Sequence, residues 1–370
     1  MEKVTLKEAQ ERTKKAVERT NKRIDELGAN TKKLYNSLAE IQEKFDRIRN
    51  VPSDTKREYE KYKMIRLEWK QQVEKIEKDY QNSVAKNVGS GAAGASLGVA
   101  VVTMAPTVAM GAATAFGVAS TGTAISALSG AAATNAALAW LGGGALAAGG
   151  GGMVAGQALL ALAGPVGWAI AGLSVVASGI FLFMGQGEKN RLDNIYRDIS
   201  LRDEKSYSLA DTELKERIKR IIEEREMLRS AIDEIQSFGL DYNLMTEAQQ
   251  YELGCYVNLM NSSTQLLTNP IKGLQPNYTA QDLDRFRVWR ATGKTKEICE
   301  KHKDSIISLS NLLYKIELNT EDSTLLWNTL RKNTEMLKTM NLSKDDFDMD
   351  FWNTIRAALK FKDEKVEFRR

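Results

Sequence analysis

The sequence is poor in the residues that build active sites and covalent frameworks. Its 370 residues include one histidine, two cysteines and five prolines. Cys255 and Cys299 are too few for a disulfide framework, and His302 alone supports no serine–histidine or cysteine–histidine nucleophile. These three side chains also fall short of the four ligands of a structural zinc site. We therefore predict that the protein is not an enzyme and has no catalytic residue, metal or cofactor.

Two further motifs are incomplete. Residues 293–295 end like a phosphate-binding loop, but that loop needs a glycine where this chain has Val288. The three aspartates within 346–350 begin like a calcium-binding loop, but Phe351 occupies the position of its required glycine. We interpret these aspartates as an acidic turn before a helix.

Charge is also missing, over one long stretch that we call the central segment. From Asn87 to Gly187, 101 residues include no Asp, Glu, Lys, Arg or His, and they hold 22 of the 27 glycines. A membrane-spanning helix needs about 20 mainly apolar residues, so this length suffices for two to four crossings. The alternative is the buried core of a large soluble helical protein, which the two charged arms would cover only in part. We interpret the central segment as membrane-inserting.

The flanks of the central segment favour an even number of crossings. Basic residues precede and follow it, which places both ends on the same, cytoplasmic side of a membrane. Two crossings, at about 97–119 and 158–184, are preferred over four. The residues expected to enter the bilayer are Leu97, Val101, Phe116, Leu173, Val175, Val176, Ile180, Phe181 and Phe183.

Small residues spaced four apart let membrane helices approach closely. This spacing predicts helix-packing roles for Gly94, Gly98, Gly152, Gly156 and Gly167. Aromatic and basic side chains anchor the ends of membrane helices at the interface. Residues expected there are Trp140, Trp168, Lys86, Lys189 and Arg191, although Trp168 lies inside the second span, where packing is the competing role.

The arms on either side show helical periodicity. Alternating spacings of three and four are the heptad pattern of helices that supercoil. In the N-terminal arm this seam consists of Val17, Thr20, Ile24, Leu27, Thr31, Leu34, Leu38, Ile41, Phe45 and Ile48. Pro52, followed by the N-cap residues Ser53 and Asp54, is expected to end this helix and start the next. The apolar stripe predicted for that second helix is Tyr62, Ile65, Trp69, Val73, Ile76 and Tyr80.

After the central segment a long helix is predicted at about 188–238. Its seam is Leu214, Ile218, Ile221, Leu228, Ile232 and Ile235, with Arg225 at one seam position. Shorter helices follow, with breaks at 269–270, 273–276 and around Gly293. One is marked by Leu309, Leu312, Leu313 and Ile316, and another by Leu325, Leu326, Leu330, Met336 and Leu337.

No alternating strand pattern bounded by hairpin turns is present. The predicted fold class is therefore all-α: a long coiled-coil helical bundle with a central Gly/Ala-rich hydrophobic helical hairpin. We predict four domains in chain order. They are an N-terminal coiled-coil hairpin at 1–86, the central segment at 87–187, a long heptad helix at 188–239 and a C-terminal helical domain at 240–370.

Residues 126–144, which include Trp140 and end in three glycines, look like a glycine-rich sequence of uncharacterised bacterial proteins. A glycine-zipper segment between heptad-rich helices resembles α-helical membrane-permeabilising proteins, of the cytolysin-A-like and apolipoprotein-L-like type. The resemblance covers about 90–187 and is architectural elsewhere. It implies oligomeric pores or membrane disruption and transfers no catalytic residue.

The main hypothesis is therefore a pore-forming effector that changes from a soluble form with a sheltered hairpin to a membrane-inserted oligomer. It would act as a toxin or in antiphage defence. Expected partners are the lipid bilayer, further copies of the chain and a regulatory protein bound by the coiled-coil arms. The alternatives are a membrane-anchored structural or adaptor protein without a pore, a secreted translocator-type channel component, and a soluble chaperone-like or inhibitor protein.

Net charge and the N-terminus bear on partners and localisation. Residues 1–86 carry a net charge of +6 and residues 188–370 a net charge of −2, which is too mild and too intermixed to indicate nucleic acid. The first residues show no apolar stretch behind a basic start, so no signal peptide is predicted. We expect synthesis in the cytoplasm and action at the inner cell membrane.

Overall fold

The computed structural model describes residues 4–88, 185–269 and 277–367. These ranges contain α-helices, two 3-10 turns and one isolated β-bridge, and no strand, which confirms the all-α class. The α-helices, in chain order, are α1 (Leu6–Asp46), α2 (Ser53–Val88), α3 (Gln186–Ile235), α4 (Glu247–Thr268), α5 (Ala280–Trp289), α6 (Gly293–Lys301), α7 (Lys303–Leu313), α8 (Thr320–Lys332), α9 (Thr334–Thr339) and α10 (Met349–Glu367). No helix in the described ranges has the length and apolarity needed to cross a bilayer.

The described residues form two compact units, each with residues from before and after the central segment. One, the hairpin unit, contains 19–88 and 209–269; the other, the C-terminal unit, contains 4–18, 185–208 and 277–367. Each compact unit therefore combines residues from more than one of the domains predicted in chain order.

In the hairpin unit, α1 and α2 are antiparallel. The rings of Phe45 and Tyr59 are tilted, with centroids 4.2 Å apart, and the ring centroids of Tyr35 and Trp69 are 5.6 Å apart. Earlier residues of α1 therefore contact later residues of α2, so the two helices run in opposite directions. The turn between them contains Asn50 at φ 61°, a left-handed conformation that asparagine tolerates.

In the same unit, α3 and α4 form a second antiparallel hairpin. Arg217 Nη1 donates to the carbonyl oxygens of Leu266 (2.9 Å) and Asn269 (2.7 Å), near the end of α4. Glu234, near the end of α3, accepts from Tyr256, which lies in the first half of α4. The connection turns at Gly239, where φ of 79° requires the freedom of glycine. Thr246 and Gln249 then cap α4 with a capping box.

The two hairpins lie side by side with α1 parallel to α3. Arg23 pairs with Asp211 at 3.4 Å, and further along both helices Arg49 bridges to Asp241. That bridge has two backbone hydrogen bonds, from Arg49 N to Leu240 O (2.9 Å) and from Tyr242 N to Arg49 O (3.0 Å). The turn of the first hairpin is thereby fastened to the turn of the second.

The predicted seams agree with the buried residues of α1 and α3. In α1 the seam residues from Leu27 to Ile48 are buried, together with Thr20, and all six apolar seam residues of α3 are buried. The side chains of Val17 and Ile24 lie outside the described part.

The stripe predicted for α2 was correct at Trp69, which is buried, but wrong about which residues before it are the most buried. Tyr62 and Ile65 are only partly buried, whereas Tyr59 and Arg66 are fully buried with Trp69. The physical reason is that the buried face of α2 includes Arg66, which a pattern of apolar residues does not predict. Val73, Ile76 and Tyr80 have no described side chains.

The C-terminal unit surrounds α10. This helix packs against α5, α6 and α7, and it buries Phe351, Trp352, Ile355 and Ala358. Trp352 Nε1 donates to Ser323 Oγ of α8 at 2.9 Å. Asn311 of α7 fixes the backbone before α5, because its side chain both accepts from the Tyr278 N–H and donates to the Tyr278 carbonyl, each at 2.8 Å.

Two details of the predicted helices needed correction. Ile316 lies after the end of α7 at Leu313, and the residues from Leu325 to Leu337 belong to two helices rather than one. The division falls at Asn333, whose side chain accepts from Met336 N at 3.0 Å and caps α9. The long helix was predicted to within a few residues, since α3 ends at Ile235 and a 3-10 turn follows.

Candidate functional site

Most residues of the predicted membrane site lie outside the described ranges. This applies to the nine inserting residues from Leu97 to Phe183, the five packing glycines from Gly94 to Gly167, and Trp140 and Trp168. Lys86 lies on α2, where only the backbone is described. Their roles remain predictions, as does the division of the chain into four domains.

Lys189 and Arg191 follow the central segment in the first turns of α3. Lys189 is exposed, while Arg191 donates from Nη1 to Glu321 (2.6 Å) and from Nε to Asp322 (2.7 Å) at the start of α8. Arg191 therefore has a structural partner in the C-terminal unit, in addition to its proposed place at an interface.

The hairpin unit contains a buried arginine that the sequence does not single out. Arg66 is 2% exposed, and its guanidinium donates to Thr264 Oγ1 on α4 (2.9 Å) and to Gln42 Oε1 on α1 (3.0 Å). Among the described side chains it forms no ion pair with a carboxylate. Burial lowers the pKa of Arg66, and one cation thereby joins three helices through neutral acceptors.

In the same unit, the carboxylate of Asp46 on α1 binds two side chains of α2. Asp46 accepts from Tyr59 Oη at 2.6 Å and from Lys63 Nζ at 2.9 Å. Burial, together with the nearby carboxylate, raises the pKa of Tyr59 far above its ordinary value, so this phenol remains a donor.

The C-terminal unit buries a carboxylate on α3. Asp203 is fully buried; its Oδ1 accepts from Arg202 Nε (2.9 Å) and Nη2 (2.8 Å), and its Oδ2 has no hydrogen-bond partner among the described residues. Burial raises the pKa of Asp203 to about 7, although Arg202 acts in the opposite direction. Arg202 is also bound to the carbonyl oxygens of Leu312 and Tyr314.

A second cluster in this unit is centred on Lys362 of α10. Its Nζ donates to Asp282 Oδ2 at 2.7 Å and to the Asn277 carbonyl, and it lies over the rings of Tyr278 and Tyr314 at 5.5 and 5.6 Å. Burial raises the pKa of Asp282, but hydrogen bonds from Lys362 and Thr279 outweigh burial and hold this pKa below its ordinary value. Asp282 thus caps α5 and binds α10.

The incomplete motifs have structural partners. Lys294 pairs with Asp348 at 3.3 Å and with Asp350, and Lys301 pairs with Asp346 at 2.7 Å. Cys255 is exposed in the hairpin unit, whereas Cys299 is buried in the C-terminal unit. Within the part of the chain that the structure describes, no group of three His, Cys, Asp or Glu side chains is arranged to hold a metal.

The clusters around Arg66, Asp203 and Lys362 connect helices through buried or half-buried charged side chains. Periodicity alone does not identify these residues. Comparison with protein-family models, curated proteins and solved structures finds no match to this chain. Function is therefore argued from the residues themselves.

Proposed function

We propose that the protein is a membrane-permeabilising effector whose helical arms carry the central segment to a bilayer, where it inserts and assembles with further copies. The observation that carries this proposal is the central segment, 101 residues without one ionisable side chain between two charged arms. In water such a segment must bury its apolar surface under protein, whereas lipid offers a competing environment.

The folding of the arms supports this assignment. The described helices flanking the segment bury apolar seams of their own, with Leu34, Leu38 and Ile41 at 0% exposure in the hairpin unit. A second core in the C-terminal unit surrounds Trp352. Arms with their own cores can remain folded while the segment between them changes its environment.

Dye release from liposomes containing anionic lipid tests the proposal. The purified full chain is expected to release the dye, and a variant lacking residues 88–187 is expected to leave the liposomes tight. Protein that binds without releasing dye would favour a membrane-anchored adaptor. An absence of both binding and release would refute the membrane assignment.

A point variant makes the test sharper. Val176→Lys places a charge within the second predicted span, where a central lysine costs roughly 2.5–3.5 kcal/mol on insertion scales, so release should fall strongly. The matched control is Ser230→Lys, which adds the same charge at an exposed position of α3 and should release dye like the original chain. Equal release by both variants would remove Val176 from the inserting region.

The packing glycines have a separate test. Gly98→Leu and Gly156→Leu keep the segment apolar but prevent the close helix approach that glycine permits. We expect both variants to bind liposomes and to release dye more slowly, with fewer oligomers after cross-linking. Unchanged release and unchanged oligomers in both would contradict the packing role.

A further inference from the structure

Two surface patches hold the most exposed large hydrophobic side chains of the described residues. Leu244 is 85% exposed and Tyr251 76% exposed near the start of α4, and we call this pair the α4 patch. Trp289 is 71% exposed and Val288 67% exposed at the end of α5, and this pair is the α5 patch. Val288 and Trp289 lie on the last turn of α5, whereas Tyr251 lies on α4 and Leu244 in the 3-10 turn before it.

The α5 patch lies in basic sequence and the α4 patch in acidic sequence. Residues 285–296 contain five Lys or Arg and no Asp or Glu. Residues 230–269 contain five Asp or Glu and no Lys, Arg or His. Similar apolar exposure thus occurs in stretches of opposite sequence charge. In the structure, Asp284, Glu300, Asp348 and Asp350 pair with cations of the stretch 285–296, and Arg49 bridges to Asp241 near the α4 patch. The two pairs of apolar residues can therefore be compared as matched variants.

The α5 patch is held rigidly from behind. Leu283 and Phe286, one turn earlier on α5, are buried in the core of the C-terminal unit, and the helix begins with a capping box made by Thr279 and Asp282. Val288 and Trp289 therefore project from a fixed support. Their apolar surface is presented without the ordering cost that a mobile loop would add to binding.

Basic side chains of the stretch 285–296 remain accessible. Arg285 and Lys296 are exposed and form no ion pair with described residues. The side chain of Arg290 is 63% exposed, and its Nη2 lies 3.7 Å from Glu364 Oε2. Arg287 pairs with Glu300 at 3.2 Å, and Lys294 with Asp348 and Asp350. Exposed pairs of this kind are weak, so an external phosphate can compete for these cations.

We propose that the α5 patch docks the C-terminal unit on the surface of an anionic phospholipid bilayer. Trp289 and Val288 enter the interfacial region, where tryptophan is favoured, and Arg285, Arg290 and Lys296 bind lipid phosphates, which attract basic side chains. The inference rests on the proposed function but adds a second, peripheral membrane contact outside the central segment. The apolar and basic side chains together fit lipid better than they fit an acidic peptide, which would leave Trp289 in water.

Flotation of the full chain with vesicles tests the proposal. The vesicles contain phosphatidylcholine alone or phosphatidylcholine with phosphatidylglycerol, and the measured quantity is the lipid concentration for half-maximal binding. The chain should bind the anionic vesicles at least about fivefold more tightly than the neutral ones, since each basic residue near such a surface contributes a factor of about five. Equal binding to both vesicle types would overturn the proposal.

The two patches provide matched variants. Val288→Ser with Trp289→Ser should weaken binding to anionic vesicles about tenfold or more, because two large apolar side chains are lost. Leu244→Ser with Tyr251→Ser, which removes similar exposed surface in an acidic stretch of the sequence, should change it by less than about twofold. Circular dichroism melting should be unchanged for both pairs. An equal loss of vesicle binding in the two double variants would overturn the proposal. So would a loss of self-association in lipid-free solution for the chain with Val288→Ser and Trp289→Ser.

A further comparison separates docking from insertion. Val176→Lys weakens insertion of the central segment without touching the α5 patch, so this chain should still bind anionic vesicles through the patch. If the original chain binds through the patch but releases no dye, the permeabilising function is refuted and docking is retained. The chain with Val288→Ser and Trp289→Ser tests the converse. If it binds vesicles and releases dye at the same lipid concentration as the original chain, docking is refuted and permeabilisation is retained.

Discussion

The buried carboxylate of Asp203 should make the C-terminal unit less stable at neutral pH than at acidic pH. Burial raises its pKa from an ordinary 3.8 to about 7, so the folded chain holds a proton that the unfolded chain has released between those two values. The free energy of unfolding should therefore fall as the pH rises from about 4 to about 7 and stay level above that.

The magnitude follows from the size of the shift. A difference of about three pKa units, at about 1.4 kcal/mol each, gives on the order of 4 kcal/mol as the most that ionisation of Asp203 can cost. Asp203→Asn replaces the buried acid with a neutral group of the same shape. At about pH 8 this variant should raise the free energy of unfolding by about 2–4 kcal/mol, and at about pH 4 it should change little.

Urea unfolding followed by circular dichroism, at several pH values between these limits, measures the effect. The control is Asp198→Asn, which removes an exposed carboxylate from the same helix, 54% exposed beside Arg197, and should leave the pH dependence unchanged. A lower stability of Asp203→Asn than of the original chain at about pH 8 would refute the reasoning. It would mean that the ion pair with Arg202 outweighs burial.

Three more stability changes follow from the described contacts. Arg66→Ala should lower the free energy of unfolding by about 2–4 kcal/mol in urea, because it strands buried polar partners and leaves a cavity; exposed Lys56→Ala is the control and should have almost no effect. Trp352→Ala should cost about 3–5 kcal/mol in the same assay, whereas a cost below about 1 kcal/mol would contradict its central position. Asp282→Asn should destabilise by about 1 kcal/mol at neutral pH. Because the folded pKa of Asp282 is lowered, that difference should begin to decrease as the pH falls below the ordinary pKa and should be lost once the pH falls through the lowered, folded pKa. A difference that persists below the folded pKa would contradict the ionic role.

Much of the fold follows from local pattern. The heptad spacings from Leu27 to Ile48 and from Leu214 to Ile235 give buried faces because side chains three and four residues apart share one side of a helix. Pro52 and the N-cap residues after it mark the turn of the first hairpin for an equally local reason. All-α class and the long helices could therefore be predicted from these residues alone.

The pairing of the helices and their polar joints could not be predicted in this way. Arg66 meets Thr264, which lies 198 residues further along the chain, and periodicity carries no information about which helices meet. The burial of Arg66 on the inner face of α2 could not be predicted either, because it depends on acceptors that other helices supply. Asp203 was missed for the same reason, since on α3 alone it looks like one of many surface acids.

The parallel arrangement of α1 and α3 also determines where the chain leaves and re-enters the hairpin unit. α2 runs away from the Arg49–Asp241 bridge and α3 runs toward it, so Val88 and Leu209 both lie toward the end opposite the bridge. The chain therefore leaves the hairpin unit after Val88 and re-enters it at Leu209 toward the same end, with 120 residues between these two positions. Loop closure at this length costs on the order of 4 kcal/mol in chain entropy, a cost already met when the hairpin unit folds. Contacts among the residues between Val88 and Leu209 thus start from ends that the hairpin unit already holds. An odd number of membrane crossings between these two positions would require α2 or α3 to cross the membrane as well.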